Sequence, residues 1–115
     1  MSYKRKLGIK NGGYIFNREI DDHFKSMGFY DDTMNPRFMN GYDYDKLSVD
    51  EPVLRHDSDY NDGGVIRVFM NTTEVYVEVQ TPYRSYEYSS YEKFEEPPTS
   101  IDEIEEVLDR LTSRL

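Results

Sequence analysis

The sequence predicts an α+β fold, a small antiparallel sheet packed by two helices, from three observations. One hairpin pairs consistently on both of its faces, and two segments carry helical apolar stripes behind capping residues. The first element expected is a short hairpin near 4–16, because Lys10-Asn11-Gly12-Gly13 stands between KRKLGI and YIFN. Asn-Gly supplies the positive φ angles that tight hairpins need. Asn17 then caps a helix over about 18–27, in which Ile20, Phe24 and Met27 recur at helical spacing and Gly28 ends the run.

Residues 29–62 are rich in Asp, Asn, Gly and Tyr and keep neither a helical nor a strand period. They read as a long, acidic, tyrosine-rich loop region. A loop of that length is uncommon in a compact domain, so it hides a short element near Val53–His56 or serves binding.

The clearest hairpin lies at 65–80, where VIRVFM and VYVEV flank NTTE. Pairing Met70 with Val75 also sets Val68 against Val77 and Ile66 against Val79 on one face. The other face then matches Arg67 with Glu78 and Phe69 with Tyr76. An apolar face, an ion pair and an aromatic pair from one register are what sheet pairing rewards, at roughly 0.2–1 kcal/mol per pair. Thr72 and Thr73 resist the left-handed geometry of a two-residue turn, which favours a four-residue loop from Asn71 to Glu74.

Pro82 breaks that run, and a further edge strand is expected over 83–88, with Tyr86 and Tyr88 on one face. In the tail, Ser100 and Glu103 form a capping box for a helix over about 101–114. Its stripe is Ile101, Ile104, Val107, Leu108, Leu111 and Leu115. The acids Asp102, Glu103, Glu105 and Glu106 precede Arg110 and Arg114, as the helix dipole favours.

A chain of 115 residues has the length of one domain, so 1–115 is read as a single unit. With no cysteine there is no disulfide framework, thiolate metal site or cysteine nucleophile, and a reducing cytoplasm is the expected location. The basic start is followed by no apolar run of signal-peptide length, and no segment approaches the roughly 20 apolar residues of a membrane span. No membrane association is expected.

The net charge of −9 is unevenly spread: residues 31–62 hold nine acids against three bases, and 63–115 hold eleven against five. Nucleic-acid binders neutralise phosphates with clustered Lys and Arg, so direct nucleic-acid binding by the domain is not expected. The basic group Lys4, Arg5, Lys6 and Lys10 reads as a solvated counterweight to the acids.

Residues 55–64 hold His56 with Asp57, Asp59 and Asp62. Asp57, Asp59 and Asn61 match the first three ligands of a calcium loop, but the twelfth position is Val68 where a bidentate glutamate is required. The segment is therefore read as a solvated Asx-type turn before the hairpin, with no metal. The second histidine, His23, sits on the first helix, and the spacing gives no reason for a dyad with His56. Gly12-Gly13 lacks any phosphate-binding pattern, and no serine lies in a nucleophile elbow, so no catalytic residue and no cofactor are expected.

Tyrosine stands out, eleven in the chain, interleaved with acids in Tyr42-Asp43-Tyr44-Asp45 and Tyr86-Glu87-Tyr88. Tyrosine offers large contact area at low entropic cost and is enriched at interface hot spots, although a tryptophan-free chain also builds its core from it. The expected function is a non-catalytic acidic protein-binding or inhibitor protein whose partner carries a basic surface. Its sharpest form is a phage-encoded DNA mimic acting on a nucleic-acid-handling or defence enzyme. The expected partner-binding residues are Tyr30, Asp31, Asp32, Tyr42, Asp43, Tyr44, Asp45, Tyr86 and Tyr88. Two alternatives remain: a small metal-dependent hydrolase using His56, Asp57, Asp59 and Asp62, and a homo-oligomeric structural subunit that assembles through the sheet edge near 83–91.

Overall fold

A computed structural model of the chain describes residues 13–34, 51–81 and 88–115. These residues fold into a five-stranded antiparallel sheet with two helices, as expected for an α+β chain. In chain order the elements are α1 (Arg18–Ser26), β1 (Tyr30–Met34), β2 (Glu51–Tyr60), β3 (Gly64–Met70), β4 (Glu74–Gln80), β5 (Tyr88–Lys93) and α2 (Ile101–Thr112). The strands lie side by side in sequence order, a meander.

The β3–β4 hairpin has the predicted register at every position, including Met70 with Val75, Arg67 with Glu78 and Phe69 with Tyr76. Its loop is held by Asn71, whose amide reaches the carbonyl of Glu74. The Asn71 side-chain oxygen accepts from Thr73 N at 2.8 Å and from Glu74 N at 3.1 Å. An Asx-type turn therefore satisfies these two loop amides.

Strand alternation divides the buried side chains between two faces. On one, Leu54, Val68, Met70, Val75 and Val77 meet Ile20 and Phe24 of α1 and Ile104, Val107 and Leu111 of α2 in one apolar cluster. Burying a side chain of this size stabilises by about 2 kcal/mol. On the other face, Met34, Val53, Phe69 and Tyr76 form a second, smaller cluster with Tyr91 against it. Both helices thus lie over the first face.

Each helix begins as expected. The Asn17 side chain accepts from Ile20 N at 2.9 Å, and the Ser100 hydroxyl accepts from Glu103 N while the Glu103 carboxylate takes Thr99 N at 3.0 Å. Met27, expected on the apolar stripe of α1, is instead 50% exposed at the helix end, and Leu115 beyond α2 is 38% exposed. Gly28 follows Met27 with φ +105° and turns the chain into β1.

Two further expectations are corrected. Residues 14–16, expected in the second strand of an N-terminal hairpin, are not a strand. Their amides go to a side chain instead: the wholly buried Asp21 accepts from Ile15 N at 2.7 Å and Phe16 N at 2.9 Å. The rest of that predicted hairpin lies outside the described residues.

The loop expected over 29–62 contains two strands, β1 and β2. The short element expected at Val53–His56 is the middle of the ten-residue β2, and Asp57–Tyr60, expected as a turn, continue it. Pairing with β3 overrides their low strand propensity, since it sets Asp57 opposite Arg67. A single 3₁₀ turn at Asn61–Gly63 makes the reversal.

Of the edge strand expected at 83–88, the described residue Tyr88 opens β5, which runs to Lys93 and pairs Tyr91 with Tyr76 and Lys93 with Glu74. This pairing covers β4 from Glu74 to Val79. Residues 82–87 lie outside the described residues.

Candidate functional site

The sheet face opposite the helices carries a charged and aromatic group built by strand periodicity. Tyr30 and Asp32 share that face of β1, and the register sets Tyr30 against Arg55 and Asp32 against Val53. Arg55 and Asp57 share it on β2, with Phe69 and Arg67 as their partners on β3. Arg55 is the hub. Its Nη1 donates to Asp32 Oδ2, its Nε to Asp57 Oδ1 and its Nη2 to Asp57 Oδ2, each at 2.9 Å. Its guanidinium also lies 5.1 Å from the Phe69 ring centroid and 5.9 Å from that of Tyr30.

These contacts set the ionisation of the group. Hydrogen bonds to Asp57 hold Arg55 charged against the cost of its burial. Burial pushes the Asp57 carboxyl up, but the hydrogen bonds and charge of Arg55, with the charge of Arg67, outweigh it and keep the carboxyl below its ordinary range. Burial raises the Tyr30 phenol, assisted by the charges of Asp57 and Asp32 and opposed by Arg55. Tyr30 reaches Asp57 Oδ2 at 3.4 Å and still leaves 42% of its surface exposed.

A second set lies beside it. Arg67 Nη1 meets Glu78 Oε2 at 3.0 Å and also donates to Gln80, while Tyr76 donates to Glu78 Oε1 at 3.3 Å. The cross-strand ion pair expected from the hairpin register is thus formed.

The expected partner-binding residues are only partly brought together. Tyr30 and Asp32 share one face of β1, whereas Asp31, one residue between them, lies on the helix side and pairs with Lys25 Nζ at 3.0 Å. Tyr88 opens β5, at the opposite edge of the sheet from β1. Tyr42, Asp43, Tyr44, Asp45 and Tyr86 lie outside the described residues.

Of the residues named for a hydrolase, His56 separates from Asp57 and Asp59. Alternation along β2 turns His56 toward the helices and Asp57 and Asp59 to the other side. The His56 ring packs on Phe29, with centroids 5.0 Å apart, and lies so near Gly28 that a β-carbon there would stand 3.2 Å from His56 Cδ2 and Nε2. His23 is separated from it by two rings, in the series His23, Phe24, Phe29 and His56. His23 Nε2 stands 3.4 Å from Glu105 Oε2 instead. Among the described residues no three His, Asp or Glu side chains are grouped to hold a metal ion.

Arg55 is the residue that reading the sequence as a loop missed. The signal was present, since Tyr30 with Asp32 and Arg55 with Asp57 are both spaced by two, the interval at which strand residues share a face. Comparison with family models, with curated proteins and with solved structures finds no match to the chain.

Proposed function

We propose that the chain is a non-catalytic protein-binding or inhibitor protein that docks on a partner through Tyr30 and the group around it on β1. The observation that carries this reading is the state of Tyr30, which is 42% exposed on an outer strand of the described sheet yet braced by Asp57 and Arg55. An exposed aromatic ring already held in place loses little freedom on binding, and such rings dominate interface energetics. The net charge of −9 favours a partner with a basic surface, which it would attract at a salt-dependent rate. A chain with no cysteine is suited to a reducing cytoplasm.

The sharpest form of this reading is a phage-encoded DNA mimic that occupies the nucleic-acid groove of a host enzyme. Asp31, Asp32, Asp57, Glu78 and Glu92 are neutralised by Lys25, Arg55, Arg67 and Arg110. Imitation of a phosphate row therefore falls to exposed acids such as Asp59, Glu95, Glu96, Asp102 and Asp109. Capture of the tagged protein's partners from a bacterial lysate, washed with low salt, high salt or duplex DNA, tests these statements. Release by salt and by DNA supports mimicry. Release by salt alone supports an acidic interface of another kind, and retention of nothing contradicts both.

A self-assembling subunit is the second reading, favoured by the position of β5 as an outer strand of the described sheet. Light scattering over a wide concentration range tests it, and a constant monomer mass contradicts it. The metal-dependent hydrolase is disfavoured by the separation of His56 from Asp57 and Asp59 across the sheet. A rise in melting temperature with Mg²⁺, Mn²⁺ or Ca²⁺ would restore it, because a ligand that binds only the folded state must stabilise that state.

A further inference from the structure

We draw no further inference here: the strongest candidate, the shallow groove between the first turns of the two helices lined by Glu19, Ile20, Thr99, Ser100, Ile101 and Asp102, consists of two helix N-termini already capped by Asn17 and by Ser100 with Glu103, and nothing else in the structure points to a ligand there.

Discussion

Arg55 grips Asp57 with two hydrogen bonds of 2.9 Å, Nε to Oδ1 and Nη2 to Oδ2, from two positions back on the same strand. Its third nitrogen reaches Asp32 on the neighbouring strand, so one side chain ties β1 to β2 and supports the ring of Tyr30. Replacing it strands two carboxylates. Arg55→Ala is expected to destabilise the fold by about 2 kcal/mol, near the lower end for hydrogen bonds to charged groups because the site is partly solvated. Urea unfolding at pH 7 checks this, and a loss below about 0.5 kcal/mol would show that the three bonds contribute little.

The same pair predicts a pH dependence. The folded Asp57 carboxyl lies below its ordinary value of about 3.9, so its contribution to stability is complete above that pH and is lost as pH falls through the folded value. Asp57→Asn should therefore flatten the decline of unfolding free energy between about pH 5 and pH 2. An unchanged slope would mean that Asp57 is no better placed in the folded chain than in the unfolded one.

Glu74 carries the opposite sign. It is 8% exposed, and burial raises its carboxyl, with Glu51 adding to the shift and Lys93 opposing it. The native state then binds the proton more tightly than the unfolded chain, so the penalty of the charge is absent at low pH and complete above the folded value. Relative to the parent, Glu74→Gln should stand better at pH 7 than at pH 4. Chemical unfolding at the two values decides it, and the reverse order would overturn the assignment.

Gly28 has φ +105°, and an added β-carbon would stand 3.2 Å from the His56 ring. Gly28→Ala should cost about 1–3 kcal/mol from backbone strain, with a further loss where the methyl meets the imidazole. His56→Ala made together with Gly28→Ala should recover the second part but not the first. Strict additivity in this double-mutant cycle would show that the two sites do not couple.

The parts of the fold legible in the sequence were those with local, self-consistent signals. Asn17 and Ser100 announced their helices because a cap and an apolar stripe lie within one segment, and the β3–β4 register followed because both faces agreed. What escaped depended on partners distant in the chain. Asp57 reads as a turn residue until Arg67 is known to lie opposite it. Of the site, Tyr30 and Asp32 were legible as an aromatic residue beside an acid. Arg55 was passed over, because the two-residue spacing it shares with Asp57 acquires meaning only once residues 51–60 are a strand paired on both sides.

The most direct test of the proposed docking surface compares the parent with Tyr30→Ala as paired baits in one lysate, after circular dichroism shows that both are folded. A discrete protein is expected to be retained by the parent, released by high salt and lost with Tyr30→Ala. Equal retention by the two baits, or retention of no protein by the parent, would contradict docking through Tyr30.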